Sequence, residues 1–102
     1  MSLIGQSVTI IGAGVAGLAV ARALALHGAS VTVLEQADAI REVGAGLQIS
    51  PNGAAVLRAL GLQQALDAAS MRADAVQLID GPTGEGVTRL DLARLRPGQG
   101  YH

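Results

Sequence analysis

The chain has 102 residues, with seven Lys and Arg against eight Asp and Glu, a net charge of -1 and no cysteine. Such a length allows one small domain at most. The charge balance provides no basic cluster for binding nucleic acid, and the absence of cysteine excludes disulfides, thiolate metal sites and redox-active cysteine pairs. We assign no residue to a metal. Half of the residues are hydrophobic, yet Phe and Trp are absent, so Ala, Leu, Val and Ile must form the core.

Residues 8–26 are apolar enough to suggest a membrane span or a signal peptide, since Arg22 is their only charge. No basic residue precedes this run, as a signal peptide requires, and Gly12, Gly14 and Gly17 interrupt it. We therefore expect a soluble protein without a membrane partner, with the cytoplasm as its default location.

The first elements form a strand-helix-strand pattern. Residues 7–11 are rich in β-branched side chains and end at Gly12, which predicts a strand buried on both faces of a parallel sheet. Residues 15–26 predict a helix that Gly28 terminates, and residues 30–35 predict a second strand ending at Glu35. A crossover of this length joins parallel strands, so a βαβ unit is expected.

The middle of the chain predicts a loop over residues 36–46 and a short extended piece over residues 47–49. Ser50 is then placed to cap a helix, Pro51 suits its first position, and Gly61 ends it.

A second short helix is expected over residues 62–69. Residues 75–80 and 87–92 read as strands around a Gly- and Pro-rich turn, which predicts an antiparallel hairpin, while residues 93–102 show no period. The predicted fold class is α/β, a partial Rossmann-type βαβ unit with a parallel sheet and a small β-hairpin.

The motif Gly12-Ala13-Gly14-Val15-Ala16-Gly17 has the form G-x-G-x-x-G. In a dinucleotide site the first glycine makes the tight turn, the second lets the backbone approach the pyrophosphate, and the third lets the helix pack close to the strand. Unpaired amides of residues such as Val15 and Ala16 would face the anion at the helix N-terminus.

The position of Glu35 makes this motif specific, because glycine spacings alone arise easily in a chain with 14 glycines. Glu35 follows Gly17 by 18 residues, near the roughly 20 expected for the carboxylate that binds the adenosine ribose. Its charge repels a 2′-phosphate, which favours FAD or NAD over NADP. The fingerprint does not separate FAD from NAD.

Residues 42–52 read E-V-G-A-G-L-Q-I-S-P-N and are followed by Val56-Leu57 and Leu60-Gly61-Leu62. This region resembles the N-terminal part of the group A flavoprotein monooxygenases, the salicylate hydroxylase-like FAD-dependent aromatic hydroxylases, and the likeness runs from about Ser7 to the end. The resemblance implies FAD as cofactor and the following contacts: Gly12, Gly14, Ala16 and Gly17 at the pyrophosphate, Glu35 at the ribose, Gln36 at the adenosine edge and Gln48 towards flavin or substrate.

The resemblance also implies an activity, the hydroxylation of a small aromatic compound with O₂ and with NADH or NADPH as electron donor. Members of the family are several times longer, with later flavin motifs and a separate substrate domain that this sequence lacks. Residues 1–102 are therefore expected to be the N-terminal part of an FAD-binding domain, with no catalytic residue and improbable catalysis on their own. His102 is expected to be frayed.

Two alternatives remain open, a fragment of an NAD-binding dehydrogenase and a non-catalytic nucleotide-binding module. The G-A-G-L-Q-I-S-P-N segment speaks against the first. A two-stranded parallel core leaves sheet edges exposed, so self-association through those edges is also expected.

Overall fold

The computed structural model describes residues 2–41, 44, 46–95 and 102. The chain divides into two compact units, Met1–Ala45 and Gly46–His102. The boundary falls in the loop that the sequence predicts over residues 36–46. Three residues of the family-like string, Glu42, Val43 and Ala45, lie outside the described residues.

The first unit is the expected βαβ arrangement. Strand β1 spans Ser7–Ile11, helix α1 spans Val15–Leu26 and strand β2 spans Ser30–Leu34. The strands are parallel and pair along their full lengths at a constant offset of 23 residues, as from Ser7 to Ser30. The second strand ends one residue earlier than predicted, so Glu35 follows β2 directly.

Within the first unit, the described strand residues are half-buried on one face of the parallel sheet and exposed on the other, which corrects the expectation of strands buried on both faces. Val8, Ile10, Val31 and Val33 are half-buried on one face. On the other face Ile11 keeps 80% of its surface exposed. Helix α1 contacts both strands, and a single crossover helix can cover only one side of a sheet.

Helix α1 ends as the sequence predicts, at Gly28. His27 is the C-terminal cap and Gly28 takes a positive φ of 96°. The Gly28 amide donates to the Ala25 carbonyl at 3.0 Å, and the Ala29 amide donates to the Leu24 carbonyl at 3.1 Å. These two bonds form a Schellman motif, which satisfies carbonyls that the helix end would otherwise leave unpaired.

The second unit begins with two short helices, α2 over Pro51–Ala59 and α3 over Gln63–Ala69. Ser50 occupies the predicted N-cap position of α2, but its side chain does not cap the helix amides. Its hydroxyl instead donates to Oδ1 of Asn52, so the neighbouring amide side chain competes for it.

The predicted hairpin follows, with β3 over Ala75–Ile79 pairing antiparallel with β4 over Gly86–Asp91. Leu92 was expected to end the last strand, and this was wrong: it begins a short helix, α4, over Leu92–Leu95. Only 4% of Leu92 is exposed, and its amide donates to the Asp74 carbonyl at 2.9 Å. Burial of this leucine therefore turns the chain out of the strand.

His102 is held in place, which corrects the expectation that it frays. The Ile49 amide donates to the His102 carbonyl at 2.6 Å, and the His102 amide donates to the Ile49 carbonyl at 2.8 Å. The ring Nδ1 lies 3.0 Å from Ser70 Oγ. Ile49 is thus paired to His102 through its backbone, and the extended conformation expected over residues 47–49 stays a prediction.

Among the described parts of the chain, no helix has the length and apolar character needed to cross a membrane.

Candidate nucleotide-binding site

Gly12 begins the loop between β1 and α1, and its backbone requires glycine. Its φ is 102°, a conformation that residues with a Cβ rarely adopt. The Gly12 amide donates to the Leu34 carbonyl at 2.7 Å, which extends the parallel ladder one step beyond β1. The turn therefore starts directly at the end of the sheet.

Gly17 allows helix α1 to lie against this turn. A Cβ at position 17 would lie 2.0 Å from the Gly12 carbonyl oxygen and 3.1 Å from its carbonyl carbon. Both are backbone atoms, so no side-chain rotation can relieve the clash. The packing role predicted for the third glycine of the motif matches this close approach.

Gly14 differs from the other two glycines, because nothing in the fold requires it. It has an ordinary φ of -75°, and among the described residues no heavy atom beyond Gly14 and its two chain neighbours lies within 4 Å of the position that its Cβ would occupy. The space in front of the loop is therefore open. A ligand that approaches the backbone here would account for the missing side chain, and this role of Gly14 stays a prediction.

Among the described residues, no side chain caps the N-terminus of α1, and the one carboxylate bonded to the preceding loop is that of Glu35, at the Ala13 amide. Gly14 is the N-cap, and no acidic residue lies in the first turn. The Leu18 amide makes the first intrahelical bond, to the Gly14 carbonyl at 2.9 Å, so the amides of Val15 to Gly17 lie ahead of it. Such amides, with the positive end of the helix dipole, favour a phosphate group.

Glu35 joins the end of β2 to the glycine loop. The Ala13 amide donates to its Oε1 at 2.9 Å, and the Ala37 amide donates to its Oε2 at 2.9 Å. These bonds, first that of Ala13 and then that of Ala37, lower the pKa of the Glu35 carboxyl below its usual value. The side chain is exposed and anionic at neutral pH, and an ionised carboxylate retains acceptor capacity for hydroxyl donors.

The structure brings together most of the predicted site residues in the first unit: Gly12, Gly14, Val15, Ala16, Gly17 and Glu35. Gln36 is exposed and follows Glu35. Gln48 is exposed in the second unit, on the segment before α2. The sequence did not predict the contacts of Ala13 and Ala37 with Glu35, because both are made by backbone amides, which every residue except proline has.

Comparison with known proteins gives one family model, described as an FAD binding domain, which matches residues 6–99. The 3-amino-4-hydroxybenzoate 2-monooxygenase of Streptomyces cremeus is 42% identical over 85 residues, covering 83% of this chain and 22% of that protein. The 3-hydroxybenzoate 6-hydroxylase of Klebsiella oxytoca is 35% identical over 85 residues, or 83% of this chain and 21% of that protein. The chain thus spans about a fifth of the length of these relatives.

Proposed function

Because this chain belongs to the FAD binding domain family, we propose that its βαβ unit holds the ADP half of FAD within a monooxygenase that hydroxylates a small aromatic compound. The similarity to hydroxybenzoate hydroxylases confirms the resemblance to FAD-dependent aromatic hydroxylases. FAD is the cofactor of the family and, when bound, supplies the electron transfer from NADH or NADPH to O₂ on which hydroxylation depends.

One observation carries the proposal, the open space at Gly14 in front of an uncapped helix N-terminus. A pyrophosphate fits this position because amides are available, no acidic side chain lies in the first turn, and the second glycine leaves room for close approach. Parallel strands joined by α1 support a Rossmann-type arrangement for this unit.

In this proposal each predicted residue has a defined contact. The pyrophosphate lies against the turn and the start of α1, Glu35 accepts from the adenosine ribose hydroxyls, Gln36 lies at the adenosine edge and Gln48 faces the flavin or substrate side. The residues proposed to contact the pyrophosphate are Gly12, Gly14, Val15, Ala16 and Gly17. This chain's residues bind and orient the cofactor, and we assign no catalytic residue among them.

We further propose that residues 1–102 form the N-terminal part of an FAD-binding domain, with the substrate site elsewhere. The relatives support this, because the chain matches only about a fifth of their length. Their names state aminohydroxybenzoate and hydroxybenzoate as substrates, which suggests a hydroxylated aromatic ring for the complete enzyme.

The experiment is a titration of the protein with FAD and with ADP, followed by visible absorption and calorimetry. Both ligands are expected to bind, since the βαβ unit contacts only the half that they share. In the variant Gly14→Ala, ADP binding should weaken about tenfold because the added methyl occupies the ligand's approach, while the melting temperature falls only by the small cost of alanine at a helix N-cap.

Gly81→Ala is the matched control, because position 81 also has open space around its Cβ but lies in the hairpin turn. It should bind ADP like the unsubstituted protein. Unchanged ADP affinity in Gly14→Ala would contradict the proposed site.

Self-association through exposed sheet edges stays a prediction. It is supported by the 80% exposure of Ile11 in β1 and the 65% exposure of Val87 in β4. Light scattering that finds a stable monomer would count against it.

A further inference from the structure

We propose that Glu35 is a positioning residue for the pyrophosphate as well as a ligand of the ribose: its carboxylate holds the glycine loop in binding geometry through the Ala13 amide. This inference rests on the proposed ADP site. It makes a separate claim, that Glu35 contributes to the binding of a ligand that has no ribose hydroxyls.

The carboxylate is fixed at both oxygens. Oε1 accepts from the Ala13 amide at 2.9 Å and Oε2 accepts from the Ala37 amide at 2.9 Å. Ala37 belongs to the turn after β2, while Ala13 lies in the turn after β1, 22 residues before Glu35. The side chain therefore ties the turn after one strand to the turn after its neighbour.

A hydrogen bond at Ala13 restrains the most flexible part of the loop. It lies between Gly12 and Gly14, and glycine is the residue that loses most conformational freedom on ordering. The Gly12 amide is held by the Leu34 carbonyl at 2.7 Å, and the Gly14 carbonyl is held by the Leu18 amide at 2.9 Å. The bond to Glu35 fixes the peptide between these two anchors, so a ligand meets a preorganised loop.

The negative charge of Glu35 allows its positioning of the loop to be distinguished from its direct electrostatic effect on the phosphate. An anionic carboxylate beside a phosphate site repels the phosphate, so removing its charge should tighten the binding of a ligand that Glu35 does not touch. Weaker binding of such a ligand after the carboxylate is removed therefore has to come from the loop.

The test is a cycle of two ligands, ADP and 2′,3′-dideoxy-ADP, against the unsubstituted protein, Glu35→Ala and Glu35→Gln. Glu35→Ala should weaken dideoxy-ADP binding about three- to tenfold, the range that one net hydrogen bond gives. Glu35→Gln should restore most of this loss, because its amide oxygen still accepts from Ala13 without a charge. Glu85→Ala, which removes an exposed glutamate from the hairpin turn, should change neither affinity.

Amide hydrogen exchange of Ala13 without ligand gives a second measure that does not depend on affinity. Exchange should be slow in the unsubstituted protein, slow in Glu35→Gln and faster in Glu35→Ala. Fast exchange in the unsubstituted protein would overturn the inference, as would a Glu35→Ala variant that binds dideoxy-ADP as well as the unsubstituted protein but binds ADP more weakly. Failure of the unsubstituted protein to bind ADP would overturn the proposed function itself, and with it this inference.

Discussion

The two units of the chain are ordered by different kinds of interaction. None of the described residues of the first unit is fully buried. The described part of the second unit contains all four buried hydrophobic residues, Ala54, Leu60, Leu66 and Leu92. The first unit instead shows a parallel ladder, a Schellman motif and the close approach of Gly17 to Gly12.

A binding loop obtains its precision from backbone geometry rather than from a buried core. The glycine loop of the first unit is defined by backbone geometry, at φ 102° in Gly12 and at the carbonyl of Gly12 that lies under Gly17. Side-chain packing in the second unit contributes apolar burial, which is less directional. The two units should therefore respond to different substitutions.

Gly17→Ala should have the largest effect. Its Cβ would lie 2.0 Å from the Gly12 carbonyl oxygen, so the helix and the strand must separate. We expect the first unit to lose about 3 kcal/mol in free energy of unfolding, the upper part of the usual range for overpacking, and ADP binding to be abolished. Amide exchange should accelerate in β1, α1 and β2 while it stays slow in α2 and α3.

Gly53→Ala is the control for Gly17→Ala, because position 53 is also helical but its Cβ would meet only a flexible side-chain atom, Cγ2 of Ile49, at 3.2 Å. Its effect should be small. Equal acceleration of exchange in both units by Gly17→Ala would show that the order of the second unit also depends on the contact of Gly17 with Gly12.

Leu66→Ala should have the next largest effect, confined to the second unit. Leu66 is 8% exposed in α3, and truncating a buried leucine costs about 2 to 5 kcal/mol, with the lower end expected for so small a core. Denaturant unfolding followed by amide exchange should show loss of α2 and α3 protection and unchanged ADP binding. Leu78→Ala, at a position 58% exposed in β3, should cost much less. A loss of ADP affinity in Leu66→Ala would show that the site depends on the second unit's packing.

The sequence predicted the first unit to within one residue at each strand end, because its signals are local. β-branched runs, a glycine turn and a terminating Gly28 each specify backbone conformation without reference to distant residues. Of the eight predicted site residues, all except Gln48 lie in the first unit. The contacts of these seven residues and of Gln48 with a ligand stay predictions.

The features that the sequence did not predict depend on partners far along the chain. Helix α4 forms where Leu92 is buried and its amide bonds to Asp74, and His102 is held by Ile49 and Ser70. Residue patterns within a window of ten carry no information about such pairs.

Protonation of Glu35 on acidification should have the smallest effect, and this effect should fall on the first unit. Hydrogen bonds from Ala13 and Ala37 lower the pKa of Glu35 in the folded protein below its value in the unfolded chain. The stability that this carboxylate contributes is therefore fully present above the unfolded pKa, about 4.3, and is lost as the pH falls through the lower folded pKa. Because the side chain is exposed, solvent screening keeps the loss small. A protonated carboxyl still accepts through its carbonyl oxygen, so exchange of the Ala13 amide, corrected for its intrinsic pH dependence, should rise on acidification only to the rate seen in Glu35→Gln, which should itself stay constant. A side-chain NMR titration in which Glu35 protonates at or above its pKa in the denatured protein would show that the bonds to the two turns do not hold the carboxylate in solution.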